Sequence, residues 1–366
     1  MKVCVYAICR NESRFAERWM RSMREADRVI VLDTGSEDDT VARLRALGAE
    51  VFEEKITPWR FDAARNRSLE LVPEDADVCV CTDLDEVLLP GWRKALERGW
   101  TEGTTLGSYR YTWNYNPDGS EGHVFWQEKM HCRFGYRWKH PVHEVLAWEG
   151  EPEKQKRTRL DGVFLEHHAD ESKSRGQYLP LLEMSVQEDP DDDRNMHYLG
   201  REYMFYGRWE DCIRTLKRHL SLPKATWADE RAASMRFIAR AYWNQGDARS
   251  AEIWLLRAIA EAPHLREAYV AMAKLKYAQK DWEGCAYYAR GALEIETRPM
   301  SYICEGEAWG SLPWDLRALG LYYSGRAAES IAPAERALAL SPGDARLKEN
   351  VRIIRQKVNK SVEKAL

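Results

Sequence analysis

The chain has 366 residues, with 55 Lys and Arg against 59 Asp and Glu, for a formal charge of −4. That balance excludes a dedicated duplex-DNA or membrane-surface binder, which needs a clear basic excess. No stretch approaches the ~18–20 apolar residues of a membrane span. The first apolar run, Val3 to Ile8, is too short for a secretory-signal core and leads straight into Arg10-Asn11-Glu12. Eight scattered cysteines without a C-x-x-C pair read as small buried hydrophobes of a reducing, cytoplasmic compartment. The 15 Trp and 17 Tyr suit carbohydrate stacking platforms and packed helical arrays equally. The length suggests two or three domains.

The first hundred residues alternate short apolar runs with helical periodicity. Val3–Cys9 reads as a buried strand, and Glu12–Glu25 as a helix with Phe15, Trp19 and Met23 on one face. Val29–Leu32 is a second strand closed by Asp33, after which Thr34-Gly35-Ser36 turns the chain. Ser36 is expected to cap a helix over Asp38–Leu47. Ala49–Phe52 and Val78–Cys81 are further strands, with a helix over Phe61–Leu71 between them. Strand–helix–strand units with continuously apolar strands predict a parallel sheet covered on both faces. In such sheets ligands bind at the C-terminal strand ends, so Arg10-Asn11-Glu12, Asp33 and Asp83-Leu84-Asp85-Glu86 should share one rim. From about residue 106 to 170 aromatic strand-like segments follow (108–113, 123–128, 131–138 and 163–168), with a turn at Asn116-Pro117-Asp118-Gly119. There the sheet should become mixed.

Beyond Tyr178 the chain is helical and repeats itself. Leu199-Gly200, Tyr203, Gly207 and Cys212 match Ile238-Ala239, Tyr242, Gly246 and Ala251. Looser copies turn at Lys280 and at Gly325. Each has a small residue for close helix packing, then a turn, and most end at a Pro. The turns are spaced at or above the ~34-residue period that tetratricopeptide repeats show, and the set resembles them. The charged segment 357–366 reads as a tail.

Asp83-Leu84-Asp85 is the strongest chemical motif, because it directly follows an apolar strand. Two carboxylates so placed can hold Mg²⁺ or Mn²⁺ while leaving positions open for diphosphate oxygens. Competing readings fail on context. Asp33-Thr34-Gly35-Ser36 occurs once, whereas an aspartic protease needs two such carboxylates. No glycine-rich turn follows the first strand, as dinucleotide and P-loop sites require. His143-Glu144 lacks the second histidine of a zinc protease.

Taken in order, Ile8-Cys9-Arg10-Asn11-Glu12, Val31–Thr40, Trp59 with Phe61–Asn66, Cys81–Glu86, Val142-His143-Glu144 and His167-His168-Ala169 carry a resemblance. Residues 1–175 resemble a family-two, GT-A-fold glycosyltransferase. Sublancin-type peptide S-glycosyltransferases and some lipopolysaccharide-core transferases have a similar arrangement. Ala169 stands where that family usually has Gly.

The resemblance implies an α/β architecture: a Rossmann-like mixed-sheet GT-A domain over 1–175, an all-α repeat domain over 176–356, and the tail. It assigns donor binding to Asn11, Glu12, Asp33, Arg65, Asn66 and Asp83. Metal ligation by Mn²⁺ or Mg²⁺ falls to Asp85 and His167, with His168 as the alternative to His167. Glu144 is the expected base, and His143 the next candidate. Lys173 and Arg175 are candidates for diphosphate contact, and Trp113, Trp126, Tyr136, Trp138 and Trp148 for stacking platforms. The implied activity is inverting transfer from a nucleotide-sugar, UDP-linked by preference. The acceptor expected from the repeats is a protein or peptide, with a glycan or modified nucleic-acid base as alternatives and homodimerisation as a further use. Against this stand a catalytically silent repeat scaffold and, last, a sugar nucleotidyltransferase.

Overall fold

The computed structural model describes residues 1–116, 119–170 and 176–363. Lys173, Arg175 and the centre of the Asn116–Gly119 turn lie outside them. The chain divides into two compact units, Met1–Glu188 and Asp189–Leu366.

In the first unit, β1 (Val3–Cys9) is buried at every residue, so both faces of the strand must be covered. Helix α1 (Ser13–Ser22), strand β2 (Arg28–Asp33), helix α2 (Thr40–Ala46), strand β3 (Glu50–Glu53), helix α3 (Phe61–Glu70) and strand β4 (Val78–Cys81) follow. The four strands run parallel in the order β3-β2-β1-β4. Strand periodicity sorts the core. Val3, Val5, Ala7 and Cys9 pack with Phe15 and Trp19 of α1 and with Met23 just past its end, while Cys4 and Tyr6 face Leu69 of α3. Cys79 and Cys81 join the α3 side together. All eight cysteines are free thiols, and all but Cys132 are buried.

The sheet then becomes mixed. β5 (Glu86–Leu88), α4 (Trp92–Gly99), β6 (Leu106–Thr112), β7 (Val124–Cys132), β8 (Tyr136–Lys139), β9 (Val145–Trp148), β10 (Arg157–His167) and α5 (Tyr178–Glu188) complete the unit. β7 inserts antiparallel beside β4, and the order continues β7-β6-β10-β5. β8 and β9 form a separate antiparallel pair.

Two local expectations are corrected. The segment 131–138 is not one strand, because Gly135 at φ +88° breaks it between β7 and β8. Ser36 does not cap α2, which starts after Asp39; its hydroxyl is drawn to Asp33 instead. The last helix runs from Ala345 through residue 357 to Glu363.

The second unit is built from helix pairs: α6 (Asp193–Phe205) with α7 (Trp209–Ser221), α8 (Ala228–Asn244) with α9 (Ala248–Glu261), α10 (Arg266–Ala278) with α11 (Trp282–Leu293), and α12 (Leu312–Tyr323) with α13 (Ala327–Leu340). A final helix, α14 (Ala345–Glu363), packs on α13. These are tetratricopeptide-like helical repeats. Each pair turns through one left-handed residue, Gly207, Gly246, Lys280 or Gly325, with φ of 67°, 84°, 59° and 83°. Past each, an N–H reaches back five residues at 2.9 Å: Arg208 to Tyr203, Asp247 to Tyr242, Asp281 to Lys276 and Arg326 to Leu321. This is the Schellman closure of a helix C-terminus. The small residues permit close approach, and a Cβ on Gly320 would lie 2.7 Å from the Ala286 nitrogen. Among the described residues no helix is long and apolar enough to cross a membrane.

A buried polar chain crosses the first two pairs. Ser234 Oγ lies 2.7 Å from His197 Nδ1 and 3.0 Å from His219 Nδ1, and His219 Nε2 is 3.3 Å from Glu230. One hydroxyl proton cannot serve both rings, so the consistent assignment has His197 Nδ1–H donating and His219 Nδ1 accepting. Burial holds His197 neutral and pushes its pKa down to about 3.

Lys280→Gly should stabilise the second unit by about 1 kcal/mol in urea melts, since only a Cβ opposes the left-handed backbone. Gly246→Ala, with nothing within 4 Å of its added Cβ, should cost a similar amount. Acid should also weaken this unit. His197 takes a proton more readily unfolded than folded, so its contribution is complete above about pH 6.5 and declines as pH falls from there towards 3. His197→Gln should flatten the stability–pH slope over that interval; an unchanged slope would assign the acid sensitivity elsewhere.

Candidate functional site

The C-terminal ends of β1, β2 and β4 form one rim, with Cys9 in register with Asp33. The loops after β1 and β2 are cross-braced. Asn11, at φ +55°, donates its N–H to Ser36 Oγ and accepts the Glu37 N–H, at 2.8 and 2.7 Å. Glu12 donates its N–H to Thr40 Oγ1 at 2.8 Å. Asp33 is buried; its Oδ1 accepts the N–H groups of Gly35 and Ser36 at 2.9 and 2.8 Å. Its Oδ2 accepts the Ser36 hydroxyl and the Cys9 thiol. These contacts give Asp33, Asn11 and Glu12 a loop-shaping role that the motif alone does not reveal.

Arg65 on α3 is only 4% exposed. Its Nε donates to Glu144 Oε1, one Nη to Asp83 Oδ1 at 2.8 Å and the other to Cys81 Sγ at 3.3 Å. The guanidinium also lies 5.2 Å over the Trp138 ring. Burial alone would lower its pKa, but Asp83 and Glu144 outweigh that and raise it well above the usual arginine value. Lys129 of β7, absent from the sequence-based candidates, completes the cluster. Its Nζ lies 3.2 Å from Asp83 and 3.3 Å from Glu86. Glu86 also accepts the Asp83 N–H and the Tyr111 hydroxyl, both at 2.9 Å. Burial would push the Asp83 carboxyl up, yet Arg65 and Lys129 hold it well below the ordinary range. Glu86 moves the other way, raised chiefly by burial.

Asn66 follows Arg65 on α3. Its side chain clamps strand β8, donating to the Trp138 carbonyl at 2.8 Å and accepting the Trp138 N–H at 2.9 Å. Both ends of the Asn66 amide are thus engaged by the main chain of β8. Behind Trp138, its indole N–H donates to Tyr6 at 2.8 Å, and the Tyr6 hydroxyl meets His131 Nε2 at 2.7 Å. Burial keeps His131 neutral and lowers its pKa to about 4.

At the β5–β10 end, Glu86 lies opposite His167 in register, which brings His167 to Asp85. Nε2 of His167 is 3.4 Å from Asp85 Oδ2. Its Nδ1 is 3.0 Å from the Trp113 carbonyl, so Nδ1 carries the hydrogen. Trp113, half exposed, stacks on the imidazole at 4.2 Å. Burial lowers the His167 pKa, Asp85 raises it, and the net direction is up. With Nδ1–H committed, the neutral ring presents a lone pair to a carboxylate, an arrangement that calls for a cation between them, whether proton or metal. His168 turns elsewhere, 3.3 Å from Glu166 and stacked beside Tyr115. Of the two histidines, His167 is the one placed at Asp85.

His143, at φ +52°, stacks on Tyr178 at 5.8 Å, next to the Arg65-bound Glu144. Of the other aromatic candidates, Trp126 lies under Arg159, and Tyr136 pairs with Trp148. Among the described residues no group of three or more His, Cys, Asp or Glu side chains converges as a metal cage.

No family model matches the chain. Among solved structures it is similar to the Cut9–Hcn1 tetramer of the APC/C (12% identity, TM-score 0.40, 50% of this chain and 33% of that one). It is also similar to MamA (17%, 0.36, 46% and 83%). Glucosyl-3-phosphoglycerate synthase from Mycobacterium tuberculosis, in complex with Mn²⁺, UDP and glucosyl-3-phosphoglycerate, matches at 28% identity and TM-score 0.26 over 30% of this chain and 44% of that one. The chain thus spans a third of the first of these and under half of the last.

Arg65→Met should destabilise the first unit by about 3–5 kcal/mol in urea titrations, because Asp83 and Glu144 lose their buried counter-charge. Asn66→Ala should cost about 1–3 kcal/mol through the two lost main-chain bonds. A loss below 0.5 kcal/mol on the urea scale for either, roughly the scatter of a surface change, would remove the corresponding role.

Proposed function

We propose that the chain is a metal-dependent, inverting glycosyltransferase that moves a sugar from a nucleotide-sugar, UDP-linked by preference, to a protein or peptide. The observation that carries this reading is the Asp85–His167 pair: a carboxylate facing the free nitrogen of a ring whose other nitrogen is fixed by the Trp113 carbonyl. Metal-binding histidines are held in this way by an outer hydrogen bond. Two protein ligands suit Mg²⁺ or Mn²⁺, which take their remaining positions from water and substrate phosphates. Bound there, the ion would supply positive charge for a departing diphosphate.

The chain's own residues do the rest. Asp33 and Asn11 hold the loops after β1 and β2 in the shape that receives the nucleotide. Asp83, kept ionised by Arg65 and Lys129, presents a fixed negative group to donor hydroxyls. Arg65 is then a positioning residue, because its buried guanidinium holds Asp83 and Glu144 in place. In the transfer, the acceptor's heteroatom forms a bond to the anomeric carbon as the bond to the diphosphate oxygen breaks. The acceptor proton goes to Glu144, whose Oε1 is anchored by Arg65; His143 is the next candidate base. The protein or peptide acceptor follows from the repeat unit, since helical arrays bind extended chains.

Thermal shift with UDP-, GDP- and dTDP-sugars, with and without Mn²⁺, tests the reading. At about a hundred times Kd, a UDP-sugar should raise the melting point by about 5–10 °C, and only with Mn²⁺ present. Asp85→Asn and His167→Gln should each abolish that shift and lower donor hydrolysis at least about 100-fold, while the ligand-free melt stays put. Metal-independent binding would discard the metal site, and no response to any donor would favour the silent scaffold.

A further inference from the structure

Strand β6 continues to pair with the chain opposite beyond Thr112. The Trp113 N–H donates to the His123 carbonyl and the Gly122 N–H to the Asn114 carbonyl, both at 2.8 Å, and Tyr115 bridges to Glu121. The Asn114 side chain braces this segment by accepting the His123 N–H at 2.8 Å. Residues two apart on an extended segment project from one face, about 7 Å from each other, so Trp113 and Tyr115 stand side by side. The β6–β10 register sets Thr112 beside Glu166, which brings the end of β10 against both rings. Trp113 stacks on His167 at 4.2 Å with the planes 22° apart. Tyr115 lies over His168 at 6.4 Å, and its hydroxyl donates to Glu166.

These contacts leave much of both rings uncovered. Trp113 is 49% and Tyr115 37% exposed, whereas Trp19 and Trp92 of the core are fully buried. Tyr111 also lies against His167, at 6.4 Å, but it is buried. Trp113 is therefore the open ring in contact with the Asp85–His167 pair. Beside it stand the Tyr115 hydroxyl and the partly exposed Glu166 and His168. An apolar plate edged by hydrogen-bonding groups suits a pyranose, which carries C–H groups on its faces and hydroxyls round its rim.

We infer that the open face of Trp113 binds the hexose of the donor, with Tyr115 and Glu166 at its hydroxyls. The inference rests on the donor reading above and names the part of the donor that this corner receives. Trp113→Leu removes the plate and keeps the main-chain carbonyl that fixes His167. Calorimetry on the full chain with Mg²⁺ compares UDP with UDP-glucose and UDP-galactose. The leucine variant should bind the better hexose donor at least about tenfold more weakly, with its affinity for UDP changed less than about twofold. Trp113→Phe should recover part of the loss. Equal weakening of UDP and the hexose donor would make Trp113 a prop for His167 and overturn the inference. Unchanged affinity for both, or a parent that binds UDP but neither hexose donor, overturns it as well. A parent that binds neither UDP nor a hexose donor fails the donor reading itself, and this inference with it. Should the leucine variant fail to fold, saturation-transfer NMR on the parent with Mg²⁺ decides. The hexose ring protons should receive saturation together with the uracil protons, and saturation confined to the uridine overturns the inference.

Discussion

A guanidinium removed from water must find its counter-charges within the protein, and the rim of the first unit is organised around that requirement at Arg65. Desolvating such a charge costs several kcal/mol unless opposite charges and hydrogen bonds replace the lost water. Asp83 from the end of β4 and Glu144 from the approach to β9 supply the charges, and Trp138 of β8 supplies a ring face. One side chain on α3 thereby ties the parallel half of the sheet to the small β8–β9 ribbon. Asn66, one residue further along α3, adds the main-chain clamp on the same strand. Lys129 plays the complementary part from β7, so the acidic motif after β4 is gripped from both sides.

This grip divides the acidic residues by role. Asp83 and Glu86 are paired with internal cations, whereas Asp85 turns to the far edge and, among the described residues, meets His167. Carboxylates two positions apart on one short loop thus have different partners: internal cations for one, an imidazole open to a further cation for the other. The proposed chemistry depends on that separation, because a fully neutralised Asp85 would have no affinity left for a metal.

The parallel half was legible because its information is local. Apolar runs of four to seven residues, each closed by a polar group, fix both the strands and the rim at which they end. The repeat turns were legible for the same reason, even at Lys280, where phase rather than residue type marks the left-handed position. What escaped was non-local or short. Nothing near Lys129 in sequence says that β7 inserts beside β4, and β5 has only three residues. Ser36 carried a valid capping signal that lost to a nearer acceptor, Asp33. Asn66 sits in the right motif, yet its amide matches a main-chain segment that the fold brings up from far along the chain. The choice between His167 and His168 became clear only with the β5–β10 register.

That register has a consequence for how the molecule can vary. Glu86 faces His167 across the ladder, and the Asp85 carbonyl accepts the His168 N–H at 2.8 Å. The spacing of Asp85 and His167 is therefore set by main-chain bonds between two strand ends, not by the long stretch of chain joining them. Sequence inserted into the β6–β7 connection beyond Trp113 would pass outside this ladder and leave the two side chains where they stand. The ladder thus sets the spacing of the pair independently of how many residues connect β6 to β7.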